Sequence, residues 1–386
     1  MKGLCMSDFV VMAKPVGSLC NMQCDYCYYL NADNGSAPPH MSDEILETYI
    51  RSYMNAVSGK VISFTWHGGE PTLAGLDFFK KAVSLQKKYL PAGKECWNNL
   101  QTNGLYLDDA WCRFLKENRF DVGVSIDGTR FIHDMYRHDT GGKPTYQRVA
   151  DTVMRLKKHG IMPDLLCTVT SDTAANGKAV YEALRRFNTG WIQFIPIVRR
   201  VDGSVTEDSV TPQLYGRFLK DVFRAWASHD MGKTNVQLFA ETALVLAGGT
   251  PDVCWLAETC GTVLIVERDG NVYSCDHFVD RHHLIGRIPE DDLGALAASE
   301  VQRSFGNAKK DTLVRQCREC PYLKFCGGGC LKDRFGSADD GEQGLYYLCD
   351  GLRQYYDYAV PLLKQSMELS SQSYSSAEIM RILFKK

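Results

Sequence analysis

Between residue 9 and about residue 194, short β-rich apolar runs alternate with longer segments whose apolar positions recur at helical spacing. Such alternation marks repeated βα units around a parallel sheet. Strands are predicted at 9–14, 61–66, 97–101, 122–126, 164–168 and 191–195. Helices are predicted at 43–56, 76–89, 109–118, 146–159 and 177–187, each long enough to cross between parallel neighbours. Six such units predict an α/β protein built on a partial (β/α)6 barrel, with a closed eight-unit barrel as the alternative. After Pro196 the alternation yields to helical stretches at 211–228 and 236–247. Beyond Gly249 come short strands, glycine-rich turns and clustered cysteines, with 263–267 and 271–274 reading as a hairpin around Asp269-Gly270. A helical tail at 352–367, a serine-rich connector at 370–376 and a short terminal helix complete the pattern. The predicted division is a barrel over 1–235 and a cysteine-rich domain over 236–386.

Charge changes this picture only by exclusion. The 386 residues carry 44 Lys and Arg against 46 Asp and Glu, so no basic field argues for nucleic acid and no polybasic run for an anionic membrane. The N-terminal residues lack an export signal, and no run of 18 apolar residues occurs, which predicts a soluble cytoplasmic protein. Fifteen cysteines in such a chain point to metal binding rather than to disulfides. Cys5, Cys96, Cys112 and Cys167 stand alone and read as small buried hydrophobes, and the other eleven fall into spaced groups.

Cys20, Cys24 and Cys27 stand within eight residues on a loop after the first strand. A structural zinc ion wants a fourth ligand, whereas a 4Fe-4S cube held by three thiolates leaves one iron open to a chelating ligand. After the second strand, His67-Gly68-Gly69-Glu70-Pro71 places two glycines where backbone can approach a ligand closely. Gln101-Thr102-Asn103-Gly104 and Ser125-Ile126-Asp127-Gly128 put polar groups at further strand ends, as pocket lining or as turn caps. Eight more cysteines follow: Cys254, Cys260, Cys275, Cys317, Cys320, Cys326, Cys330 and Cys349. The run from Cys317 to Cys330 alone is compatible with a zinc ribbon, but that leaves four thiols unexplained. Gly327-Gly328-Gly329 suits backbone wrapped round a bulky cube with N–H groups on its sulfurs.

The spacing of the first three cysteines, with Tyr26 just before the third, resembles the radical S-adenosylmethionine superfamily, and the glycine segment matches in place. The eight C-terminal cysteines resemble the twin-cluster (SPASM) extension of peptide-modifying radical enzymes, most closely the anaerobic sulfatase-maturating enzymes. That resemblance implies S-adenosyl-L-methionine and three 4Fe-4S clusters as cofactors. It implies Cys20, Cys24 and Cys27 for the catalytic cube, and Cys254, Cys260, Cys275 and Cys330 for the nearer auxiliary cluster. Cys317, Cys320, Cys326 and Cys349 would hold the outer one. By the same resemblance Tyr26, Gly68, Gly69, Glu70, Ser125, Arg137, Gln193 and Val198 contact S-adenosylmethionine. The implied activity is oxidation of a Cys or Ser residue in a sulfatase polypeptide to Cα-formylglycine, of the Cys-type. Asp276 would act as the base, unless it merely steadies Cys275, and a flavodoxin or ferredoxin would supply electrons. Another peptide maturase, forming a thioether or carbon-carbon crosslink, and an iron-sulfur electron carrier are the competing expectations.

Overall fold

The computed structural model describes residues 9–29 and 39–384. Cys5 lies outside the described residues. The chain folds as two compact units that interleave in sequence: one takes 1–125, 137–163 and 260–307, the other 126–136, 164–259 and 308–386.

The first unit is built on a mixed sheet. Phe120–Ser125, Glu95–Thr102, Val61–Trp66, Val10–Lys14 and Val263–Glu267 run parallel in that spatial order. Asn271–Tyr273 and Leu284–Arg287 extend it antiparallel. The hairpin at Asp269-Gly270 forms as expected, and its first strand also pairs with the first strand of the chain, Val10 opposite Val263. The helix Asp43–Ala56 starts where Ser42 accepts the Ile45 N–H and two acids occupy the first turn. It buries Leu46, Tyr49, Ile50, Tyr53 and Met54. Tyr49 stands edge-on to Phe64 and Trp66 of the neighbouring strand, with ring centroids 5.5 and 5.8 Å apart.

The second unit contains the parallel strands Asp164–Val169, Trp191–Pro196 and Asn235–Val236. The helix Pro212–His229, capped by Thr211 and opened by proline, packs on the long helix Cys349–Ser371. Close approach comes at Gly216 and Gly351, where a Cβ on Gly351 would stand 2.4 Å from the Pro212 carbonyl oxygen. Serines of the expected connector instead continue the long helix to Ser371, and the last helix, Ser376–Leu383, begins with a capping box of Ser375 and Glu378. Among the described residues no helix is long and apolar enough to cross a membrane.

Candidate active site and iron-sulfur centres

At the C-terminal end of the first strand, the chain turns through Pro15 to Leu19 and delivers Cys20. The segment read as loop contains a short strand, Met22–Cys24, paired antiparallel with Arg137–Asp139 so that Cys24 stands opposite Arg137. This pairing carries Arg137, only 5% exposed, to the Tyr26 hydroxyl, to which its Nη1 donates at 2.9 Å.

The glycine segment locks onto the cysteine loop through backbone. Gly69 N–H donates to the Gly17 carbonyl at 2.8 Å and Glu70 N–H to that of Leu19 at 2.9 Å. A Cβ on Gly69 would stand 2.1 Å from the Leu19 oxygen, so only glycine permits this contact. The Glu70 side chain is fully buried and occupied by its own chain. It accepts from Thr72 N–H at 3.1 Å, Thr72 Oγ1 at 2.6 Å, Thr102 Oγ1 at 2.8 Å and Asn103 N–H at 2.7 Å. Burial pushes its carboxyl pKa up, against those four hydrogen bonds. Glu70 therefore ties two strand ends together beneath the cysteine loop. Ser125 Oγ accepts from Gln101 Nε2 at 3.1 Å. Asp127 Oδ1 accepts the Thr168 N–H at 2.8 Å, a bond to a segment 41 residues further along the chain.

In the same unit a charged network surrounds Asp276. Lys14, with no exposed side-chain surface, pairs with the Asp276 carboxylate and lies 4.0 Å from Glu267 Oε1 and 3.5 Å from the centre of the Tyr29 ring. Tyr28 donates to Asp276 and Tyr29 to Glu267. Burial alone would raise the Asp276 pKa, but Lys14, His67 and His277 together hold it below the usual carboxylate range. His67 Nδ1 accepts the Gly68 N–H at 2.7 Å, which leaves Nε2 as the nitrogen that can carry a proton. Lys14, Tyr28, Tyr29 and Glu267 were not among the expected site residues. The available signals were a lysine at the end of an otherwise apolar buried strand and two tyrosines directly after Cys27.

Of the C-terminal thiols, Cys317, Cys320, Cys326 and Cys349 line one cavity of about 230 Å³, also walled by Tyr346, Leu352 and Tyr356. Burial pushes the Cys326 thiol up to about 11 and that of Cys349 to about 12, so a thiolate here needs a cationic partner. Gly327, Gly328 and Gly329 all adopt positive φ, and the Gly328 N–H approaches Cys326 Sγ at 3.4 Å. Cys330 is not among the residues lining this cavity, and Cys254 is one of the groups that raise its thiol pKa, after burial. Cys254 and Cys330 lie in one unit, Cys260 and Cys275 in the other. Gln193 is half-buried on its strand, and the Val198 carbonyl accepts from Lys332 at 3.3 Å. Cys112 and Cys167 are fully buried, as expected of small hydrophobes, and Cys96 is half-buried.

Three thiols within eight residues, the Met22 N–H on Cys20 Sγ at 3.4 Å and a glycine segment hydrogen-bonded to the stretch just before them fit a cube with one open iron. The comparisons with known proteins agree. Residues 15–173 match the model of the radical SAM superfamily, and residues 254–321 that of an iron-sulfur cluster-binding (SPASM) domain. The chain is a radical S-adenosylmethionine protein with an iron-sulfur extension, its cofactors S-adenosyl-L-methionine and 4Fe-4S clusters.

A serine-type anaerobic sulfatase-maturating enzyme from Bacteroides thetaiotaomicron is 40% identical over 97% of this chain and 94% of its own length. A cysteine-type enzyme of Clostridium perfringens is 33% identical over 93% of this chain and 98% of its own. The solved structure of native anSMEcpe with bound AdoMet and Cp18Cys peptide superposes with a TM-score of 0.84 at 32% identity. It covers 92% of this chain and 98% of that one. The chain belongs to the family of anaerobic sulfatase-maturating enzymes.

Proposed function

We propose that the protein oxidises a Cys or Ser side chain of a sulfatase polypeptide to Cα-formylglycine. The observation that carries this reading is the Asp276 carboxylate, next to Cys275 in the chain and held by Lys14 and Tyr28 in the unit that also carries Cys20, Cys24 and Cys27. Within this reading the barrel spans 1–235 and the SPASM domain 236–386. Cys20, Cys24 and Cys27 hold the catalytic cube. Cys254, Cys260, Cys275 and Cys330 hold the nearer auxiliary cluster, and Cys317, Cys320, Cys326 and Cys349 the outer one. Gly68, Gly69, Ser125, Arg137, Gln193 and Val198 line the S-adenosylmethionine site, with Tyr26 fixed by Arg137. Glu70 contributes by holding the glycine segment in place.

When bound, these cofactors supply a radical that takes one hydrogen atom from the substrate Cβ and a centre that accepts one electron. What remains for the chain is one proton on the substrate sulfur or oxygen. The Asp276 carboxylate has lone pairs to receive it, and the Tyr28 and Lys14 contacts aim it. Loss of the hydrogen atom, proton and electron leaves a thioaldehyde from Cys or the aldehyde from Ser. Water then converts the thioaldehyde to the aldehyde with release of hydrogen sulfide. The electron donor in this reading is a flavodoxin or ferredoxin.

A cysteine substrate is the expectation carried from the sequence. The serine-type relative at 40% identity supports serine as a second reading. Anaerobic incubation with matched Cys and Ser peptides from a sulfatase separates them: turnover of only one assigns the type, and an aldehyde on neither rejects the function.

A further inference from the structure

Asn103 lies one residue beyond the strand Glu95–Thr102 and is 6% exposed. Every polar atom of its side chain is committed. Oδ1 accepts the Leu105 N–H at 3.0 Å, which fixes the orientation of the amide. Nδ2 must then face the cysteine loop, where it donates to Asn21 Oδ1 at 2.7 Å and to Cys20 Sγ at 3.6 Å. The Met22 N–H adds a second donor on the same sulfur at 3.4 Å. The Asn103 backbone N–H is itself pinned by Glu70 at 2.7 Å. Two amide hydrogens thus have two acceptors, and one of these is a sulfur of the three-cysteine loop.

Hydrogen bonds to ligand sulfur favour the more negative, reduced state of an iron-sulfur cluster and so raise its reduction potential. We infer that Asn103 is a positioning residue that tunes the catalytic cluster, its amide N–H on Cys20 Sγ raising the potential at which that cluster is reduced. This rests on the assignment of Cys20 to the catalytic cube. A simple tether between Asn103 and Asn21 would hold the loop without moving any potential.

Asn103→Leu keeps the size of the side chain and removes both donors, and Asn103→Asp keeps the shape and replaces the donor by negative charge. The measurement is an anaerobic redox titration of the reconstituted protein followed by electron paramagnetic resonance, with iron content determined on the same samples. Addition of S-adenosylmethionine identifies the catalytic cluster, because only its signal responds. Asn103→Leu is expected to keep its iron and lower the midpoint by about 59 mV, a tenfold change for one electron, and Asn103→Asp to lower it further. An unchanged midpoint in Asn103→Leu, or loss of the responsive cluster from both variants alike, overturns the inference. If that signal instead survives Cys20→Ala in the otherwise native protein, the ligand assignment itself fails, a result separate from either.

Discussion

Asp276 is the residue whose chemistry is most separable from the rest, because its proposed work follows hydrogen abstraction. Asp276→Asn keeps the shape and removes the proton acceptor, and loss of a general base costs on the order of 10²- to 10⁴-fold in rate. Formylglycine should fall by that factor while peptide-dependent deoxyadenosine persists at a reduced level. Parallel loss of both products together with iron would instead assign Asp276 to supporting Cys275. Lys14 carries a different cost. Its side chain is fully buried between Asp276 and Glu267, whose own side chains are 19% and 11% exposed. Lys14→Met leaves two buried carboxylates without their cation, so we expect a loss of about 3–5 kcal/mol in unfolding free energy by anaerobic denaturant titration. Stability unchanged in that variant would show the pairing to be incidental.

At the scale of elements, the contact between the glycine segment and the cysteine loop carries the site. Gly69→Ala drives a Cβ into the Leu19 carbonyl, which stands 2.1 Å from its ideal position, and neither side is a flexible side chain. We expect this variant to lose the catalytic cluster, about one third of its iron, together with deoxyadenosine formation, while circular dichroism shows the sheet intact. Much of this layer was legible in the sequence where the apolar period is regular. The helix Asp43–Ala56 and the strand Val61–Trp66 fall on their predicted bounds because helical spacing in the one and a β-rich apolar run in the other leave little choice. The strand Met22–Cys24 was hidden, because its partner Arg137–Asp139 lies more than a hundred residues away and neither segment has a strand-like run. The parallel pairing of Val10–Lys14 with Val263–Glu267 was hidden for the same reason. Glu70 was legible as important but not in kind: nothing local reveals that Thr102 and Asn103 turn back to fill its carboxylate.

For the whole molecule, the eleven grouped cysteines lead to about 12 irons per chain after anaerobic reconstitution, from three cubes of four, with little zinc. About 4 irons with stoichiometric zinc would leave the C-terminal thiols as a zinc site and remove the twin-cluster reading. The most direct test of the central claim is the product on a sulfatase-derived peptide incubated anaerobically with the reconstituted protein, S-adenosylmethionine and a reductant. The account predicts an aldehyde that a hydrazide traps, formed in step with deoxyadenosine, with sulfur lost from a Cys peptide or two hydrogens from a Ser peptide. Deoxyadenosine formed alongside a crosslinked peptide that retains its sulfur and traps no hydrazide would contradict it.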